Sequence, residues 1–185
     1  MGLYGPLFAV IFDYVVPYTT GWKENEMTLS IQKFGPPHSD WAISLLKKNW
    51  GAVEVVSRGR THDASALSGF VAIVDQEPKG LVTYRIADKA CEIVTLNTQA
   101  RNQGIGTALV DAVIHLAKSM DCIRIWVITT NDNLTALAFY QKRGFELTAM
   151  YRNAISQSRK IKPEIPIYGE NGIPIRDELE LEMIV

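Results

Sequence analysis

The stretch Arg101-Asn102-Gln103-Gly104-Ile105-Gly106 joins a strand-like run to a helix-like run. Residues 91–96 before it are apolar and β-branched, and apolar residues after it recur at helical spacing from Ala108 to Leu116. Glycines at the start of a helix let a ligand approach the free N–H groups of the first turn and the positive end of the helix dipole. Arg101 adds a positive charge. The stretch therefore predicts a diphosphate-binding turn, formed by Arg101, Asn102, Gln103, Gly104, Ile105, Gly106 and Thr107.

The glycine pattern alone does not specify a phosphate site. A Gly-x-Gly pair also occurs where a strand simply turns tightly into a helix. A dinucleotide fingerprint needs a small residue where this chain has Leu109, and the Gly-Lys-Ser/Thr of a P-loop is absent. The order Arg-x-x-Gly-x-Gly instead resembles the pyrophosphate-binding signature of the GCN5-related N-acetyltransferase (GNAT) family. That resemblance implies that the turn binds the diphosphate of acetyl-coenzyme A (acetyl-CoA).

A second segment, residues 131–145, resembles the cofactor-side block that follows in the same family. The matching residues are Asn133, Ala136, Tyr140 and the Gly144-Phe145 ending. Each also suits its local position, since Asn133 is a good N-cap, Ala136 and Tyr140 share a helical face, and Gly144 suits a left-handed cap. An ordinary capped helix accounts for these residues singly. It does not account for their order and separation from the first motif.

The composition of the 185-residue chain is typical of one globular domain, with 47% hydrophobic and 21% charged residues. A net charge of −1 gives no support for nucleic-acid or membrane-surface binding. Cys91 and Cys122 are too few for a metal site or a disulfide framework, so no metal is expected and a reducing cytoplasm fits. Residues 1–26 are expected to be an N-terminal extension, or to follow from a start codon assigned too far upstream. The domain itself is expected over 27–185.

The order of elements predicts a mixed α/β domain. Strands are expected over 28–34, 53–57, 70–75, 81–86, 91–98, 123–129, 145–151 and 177–185, with helices capped near Ser39, after Gln103 and at Asn133. Residues 77–80 are expected to form a turn, 58–68 a polar loop, and 154–160 an ambiguous segment. The resemblance implies a GNAT-type fold, in which a mostly antiparallel sheet with one splayed parallel pair is flanked by helices.

The resemblance also implies where the donor lies and which residue acts as an acid. The pantetheine arm of acetyl-CoA would lie like an extra strand between the splayed strands, against Val94, Thr95 and Leu96 on one side. Tyr140 matches the family tyrosine that protonates the departing thiolate. A buried core tyrosine with an internally bonded hydroxyl is the other interpretation.

Glu92 is the first candidate for the base that removes a proton from the amine. Strict alternation would place it on one sheet face with Val94 and Leu96. A carboxylate on an apolar strand would have a raised pKa, which suits a base. The alternative is a strand-end glutamate paired with a nearby Arg or Lys.

Two polar segments give conflicting indications about the acceptor. Arg58, Arg60 and His62 in the predicted loop could bind an acidic group, or could be a solvated surface loop. The tail alternates Glu178, Glu180 and Glu182 with apolar residues. These acids are expected to form a solvated strand face, and less readily a surface that attracts a cationic amine or faces a dimer partner.

The leading functional hypothesis is transfer of an acetyl group from acetyl-CoA to a primary amine by direct attack in a ternary complex. A small-molecule or protein amine is the expected partner, and a homodimer is one assembly that the resemblance implies. The alternative from another class is a non-catalytic acyl-CoA-binding sensor or assembly module. Longer acyl donors also stay open, and fold gives no choice among acceptors.

Overall fold

The sheet order confirms the mixed α/β architecture. A computed structural model describes residues 28–99, 103–169 and 171–185. Seven strands form one sheet in the order β1-β4-β5-β6-β7-β9-β8, and β2 and β3 form a separate hairpin. Only β6 and β7 are parallel among these described pairs. The elements are β1 (Leu29–Lys33), a 3₁₀ helix (Pro36–His38), α1 (Ser39–Trp50), β2 (Glu54–Ser57), β3 (Arg60–Asp63), β4 (Ser68–Val74), β5 (Glu77–Ala87), β6 (Ala90–Thr98), α2 (Ile105–Ser119), β7 (Arg124–Thr130), α3 (Leu134–Lys142), β8 (Glu146–Tyr151), α4 (Ala154–Ile161) and β9 (Glu178–Ile184). The expected extension, residues 1–26, lies outside the described residues, so the domain boundary stays a prediction.

Two helices cover opposite faces of the sheet. Buried residues of α2 pack with strand residues into one core, and α1 contributes Leu45 and Leu46 to a second core. Fully burying one such aliphatic side chain contributes about 1.5–3 kcal/mol. Both faces of the central strands are therefore covered, which explains why most of residues 91–96 are apolar. The first core includes Val82, Ile93, Leu109, Val113 and Ile125.

The turn between β4 and β5 is shorter than the sequence indicates. Asp75 and Gln76, at φ 49° and 68°, form it, whereas the predicted turn 77–80 belongs to β5. A two-residue turn with both φ angles positive matches the twist of a hairpin. The register shifts beside Pro78, which allows a residue without an N–H inside the strand. Glycine is required at position 80 because the Ile105 side chain packs closely against the backbone there, and a Cβ would lie 2.6 Å from Ile105 Cγ2.

The predicted loop 58–68 is also wrong in its first half. Residues 60–63 form β3, which pairs with β2 from Glu54↔Asp63 to Ser57↔Arg60. Arg58 and Gly59 both have positive φ, 50° and 68°, and make the hairpin turn. The strand is not visible as an apolar alternation because its side chains are polar and largely exposed. The ambiguous segment 154–160 is helix α4.

The acidic tail forms β9 as expected, but its glutamates are not solvated. Glu178 and Glu180 are only 1% and 5% exposed. The expectation failed because β9 lies between β7 and β8 and is not an edge strand. Glu180 accepts from Tyr151 Oη at 2.6 Å and pairs with Arg124 and Arg58 at 3.3 and 3.5 Å. Glu178 accepts from the main-chain N–H of Arg58 at 2.9 Å, so both acids have structural partners inside the fold.

Glu180→Gln is expected to destabilise the fold by about 1–3 kcal/mol, because it leaves two arginines without their shared carboxylate. The expected loss stays small since those arginine side chains are 31% and 43% exposed. Urea unfolding of this variant and of the control Glu164→Gln, an exposed loop residue, measures the difference. Equal midpoints for both variants would contradict the structural role.

Candidate active site

The site begins where the two parallel strands separate. The pairing of β6 with β7 runs from Ala90↔Arg124 to Ile93↔Val127 and stops there. Beyond that point β6 stays paired with β5, and β7 with β9. The main-chain groups of residues 94–96 and 128–129 therefore face each other across a gap, which suits an extended ligand that hydrogen-bonds like a strand.

A β-bulge at Val94 changes which side chains share a face. The register passes from Tyr84↔Ile93 to Thr83↔Thr95, leaving Val94 as the extra residue. Thr83 and Thr95 consequently meet, with their Oγ1 atoms 2.8 Å apart. Glu92 shares this face with Thr95, and the expectation that it shares a face with Val94 and Leu96 is wrong. A bulge breaks the strict alternation on which that expectation depended.

The N-terminus of α2 meets the gap. Gly104 is its N-cap, at φ 74°, and a Cβ added there would meet no described atom within 4 Å. The first i to i−4 hydrogen bond of the helix runs from the Ala108 N–H to the Gly104 carbonyl at 2.9 Å. The N–H groups of residues 105–107 precede it, and glycine has no side chain to cap them. The first turn contains no acidic residue, so its positive end is available to an anion.

One cleft of about 410 Å³ connects this helix end with the separated strands. Every predicted donor-binding residue that the structure describes lines it, whereas Arg101 and Asn102 lie outside the described residues. Trp50, from the end of α1, lines it as well and had no signal in the sequence. The predicted residues in the lining are Val94, Thr95, Leu96, Gln103, Gly104, Ile105, Gly106, Thr107, Asn133, Ala136 and Tyr140.

Tyr140 brings α3 to the cleft. It is 4% exposed, and its ring packs edge-on against Phe139 and Phe145 at centroid distances of 5.1 and 5.3 Å. Burial raises the pKa of its phenol, so the hydroxyl stays protonated at neutral pH. A protonated phenol in a cleft can donate a proton.

The two sequence motifs are joined by direct contacts. Asn133 caps α3 as expected, accepting from the Ala136 N–H at 3.0 Å. Arg143, just after α3, donates to Thr107 Oγ1 at 2.8 Å and pairs with Asp111 on α2. These contacts position the cleft wall formed by α3 against the N-terminal half of α2.

Comparison with known proteins agrees with this geometry. The model described as "Acetyltransferase (GNAT) family" matches residues 27–145. The chain belongs to the GNAT family. The Bacillus subtilis (strain 168) protein YdhI is 45% identical over 139 residues, which are 75% of this chain and 87% of YdhI.

Solved GNAT structures share the fold. An IAA acetyltransferase from Bacillus cereus ATCC 14579 matches with a TM-score of 0.66 at 22% identity, over 85% of this chain and 99% of that one. A GNAT acetyltransferase from Elizabethkingia anophelis, solved with acetyl-CoA bound, matches with a TM-score of 0.62 at 23% identity, over 85% and 98% of the two chains. At these identities the likeness shows the GNAT fold.

Glu92 lies beside the GNAT cleft and not in its lining. Its side chain lines a second cavity, where its Oε2 lies 2.8 Å from Arg85 Nε. Burial raises the pKa of Glu92, and Arg85, Arg58 and Arg60 oppose that shift without cancelling it. Glu92 is thus a carboxylate paired with an arginine, as the alternative expected, and its pKa is also raised; its role as the base stays a prediction.

The cysteines and the other metal-binding residue types bear on which kinds of chemistry the described residues can perform. Cys91 and Cys122 are buried free thiols, and burial raises the pKa of Cys91 to about 12. Within the described ranges, no cluster of His, Cys, Asp and Glu is arranged to hold a metal ion. Among the same residues, no helix has the length and apolar character to cross a membrane.

Proposed function

We propose that this GNAT protein transfers an acetyl group from acetyl-CoA to a primary amine, by direct attack in a ternary complex. One observation carries the proposal: a single cleft brings together an uncapped helix N-terminus, two separated strand edges and a buried tyrosine. Each part matches a different portion of an acyl-CoA thioester. The activity belongs to residues 27–185 in this proposal, with a cytoplasmic location.

The donor is bound by main-chain groups. The diphosphate lies at residues 103–107, where the N–H groups of α2 and the helix dipole stabilise negative charge. Arg101 and Asn102, which precede these residues in the sequence, stay predicted members of the diphosphate site. The pantetheine arm lies between residues 94–96 and 128–129, whose main chains have no β6–β7 pairing. Asn133 and Ala136 form the wall from α3.

Tyr140 is the acid. Departure of the thiolate leaves a negative charge that a nearby proton neutralises, and the Tyr140 phenol is protonated at neutral pH and can donate that proton. The surrounding rings of Phe139 and Phe145 hold the tyrosine in one orientation.

Glu92 is the base. An alkylamine with a pKa of about 10.4 is almost fully protonated at neutral pH and must lose a proton before it attacks. Glu92 lies one residue before the strands separate, and its raised pKa strengthens it as a base. It accepts the proton directly or by way of solvent. Direct attack agrees with the buried, high-pKa state of Cys91, which disfavours an acetylated cysteine intermediate.

Glu92→Gln is expected to lower kcat/KM about 100-fold at neutral pH. The active form of Glu92 is the carboxylate, so wild-type activity is lost as pH falls through a pKa above its ordinary value. The variant has no carboxylate to titrate at this position, so its pH profile should lack this fall in activity on the acid side, the acid limb. A pH profile of kcat/KM, with exposed Glu77→Gln as control, measures both effects. An unchanged plateau and acid limb would exclude Glu92 from the proton transfer.

A thiol-release assay across classes of amine tests the proposed function. The protein and acetyl-CoA are mixed with amino acids, polyamines, aminoglycosides or peptides, and free thiol is followed over time. Thiol released only when a particular amine is present supports acetyl transfer. Tight acetyl-CoA binding in calorimetry with no thiol release for any class would favour a non-catalytic acyl-CoA-binding module.

A further inference from the structure

The second cavity, of about 170 Å³, lies on the sheet face covered by the β2–β3 hairpin. The hairpin and the central strands each contribute to its lining. Its polar side chains come from Ser57, Arg58, Arg60, His62, Arg85 and Glu92.

The cavity has an excess of positive charge. Three arginines line it against one carboxylate, Glu92, which is held by Arg85. Arg58 is engaged as well, since its guanidinium lies 4.5 Å from the Tyr151 ring centroid and pairs with Glu180. Arg60 is exposed and pairs with no carboxylate in the parts of the chain that the structure describes. Arg60 is therefore the cation of this cavity that is available to a ligand.

Two further side chains indicate an anionic ligand. Burial chiefly lowers the pKa of His62, and the positive charges of Arg85 and Arg60 lower it further. The Oγ atom of Ser57 is buried and has no hydrogen-bond partner among the described residues. Such a hydroxyl is costly unless a water or a ligand hydrogen-bonds to it. A carboxylate would accept from Ser57 and from the planar guanidinium of Arg60.

The two cavities are neighbours along the same strands. The pair Glu92↔Trp126 lines the second cavity, and the next pair, Ile93↔Val127, lines the donor cleft. Thr95, on the same face as Glu92, is three residues further on, roughly 7–10 Å at the rise of a strand. The separation of Glu92 from the cleft along β6 is therefore within the length of one small molecule.

We infer that the acceptor is an amine that also carries a carboxylate, and that Arg60 with its neighbours in the second cavity binds the carboxylate. This inference rests on the proposed function, because it names the acceptor class of the same site. It removes the conflict between the two polar segments: Glu178 accepts hydrogen bonds from the Arg58 N–H and the Ser158 hydroxyl, Glu180 pairs with Arg124, and these buried acids are not free to attract a polyamine.

Paired acceptors test the inference. Thiol release is measured with α-amino acids and with ω-amino acids of increasing length, each beside its primary amide, which keeps the amine and removes the negative charge. Wild-type kcat/KM is expected to be at least about tenfold higher for the best acid than for its amide. Arg60→Gln should lower the preference for the acid about tenfold, through a higher KM for the acid, and should change kcat/KM for the amide less than about twofold. Arg60→Lys should regain part of the preference. Arg152→Gln, at an exposed position outside both cavities, is the control.

Failure of the inference differs from failure of the proposed function. Turnover that is equal for acids and amides, or that Arg60→Gln lowers equally for both, would overturn the carboxylate site while acetyl transfer stands. Absence of turnover with every amine would count against acetyl transfer. In that case calorimetry of an N-acetyl amino acid and its amide on the CoA-loaded protein decides the inference: tighter binding of the acid that is lost in Arg60→Gln supports it, and equal binding overturns it.

Discussion

Gly104→Asp is expected to weaken acetyl-CoA binding at least about 100-fold, roughly 2.7 kcal/mol. The carboxylate would stand at the N-terminus of α2, where the N–H groups of residues 105–107 bind the diphosphate in our proposal. A second negative charge there occupies the same donors and repels the ligand. Calorimetric titration with acetyl-CoA measures the loss.

The same substitution should leave the fold almost intact. Gly104 has φ 74°, which Asn and Asp tolerate better than other residues, and the added Cβ meets no described atom within 4 Å. An acidic residue at an N-cap also favours the helix. The free energy of unfolding, measured in urea, is therefore expected within about 1 kcal/mol of wild type.

Gly104→Asn is the matched control for charge. It imposes the same backbone constraint and the same side-chain size without the negative charge. We expect it to retain most of the affinity. Equal affinity in Gly104→Asp and wild type would show that the diphosphate does not bind at this helix end, and equal loss in both variants would assign the effect to shape.

Tyr140→Phe is expected to lower kcat by about 10²-fold or more, because it removes the proton donor for the departing thiolate. The ring contacts with Phe139 and Phe145 do not involve the hydroxyl and remain in the variant. The Kd for acetyl-CoA should therefore change less than about twofold. Steady-state kinetics and calorimetry on one preparation separate the two quantities.

Tyr84→Phe is the control for loss of a tyrosine hydroxyl. Tyr84 is half-buried, packs on Phe70 at a centroid distance of 5.7 Å and lines neither cavity. Loss of the Tyr84 hydroxyl should leave kcat unchanged. If Tyr140→Phe also turns over at the wild-type rate, Tyr140 is a packing residue and takes no part in the chemistry.

Local signals in the sequence predicted most of the elements correctly. The strand over 91–98, the helix after Gln103 and the Asn133 cap each depend on a few neighbouring residues; the structure has the strand and the cap where expected and begins the helix at Ile105. The two motifs also predicted which residues share a cavity. Each motif lies between the end of a strand and the start of a helix, and the topology brings the ends of these two strands, β6 and β7, together.

Tertiary context determines what the sequence could not indicate. The bulge at Val94 puts Glu92 on the same sheet face as Thr95 instead of the face of Leu96. Bulges of this kind leave no clear residue pattern in a sequence. Glu178 and Glu180 are buried because β9 inserts between β7 and β8, a position fixed by strand order. Strand β3 and Trp50 were missed for similar reasons, since a polar hairpin and a helix end acquire their roles only through their neighbours.

The most direct test of acetyl transfer at this cleft follows the acetyl group itself. Acetyl-CoA carrying an isotopically labelled acetyl group is incubated with wild-type protein and the best amine of the acceptor panel, and mass spectrometry and thiol titration are run together. We predict labelled N-acetyl product and free thiol in equal amounts, with both strongly reduced in Tyr140→Phe. Saturated binding of acetyl-CoA with no labelled product from any amine would contradict acetyl transfer by this protein.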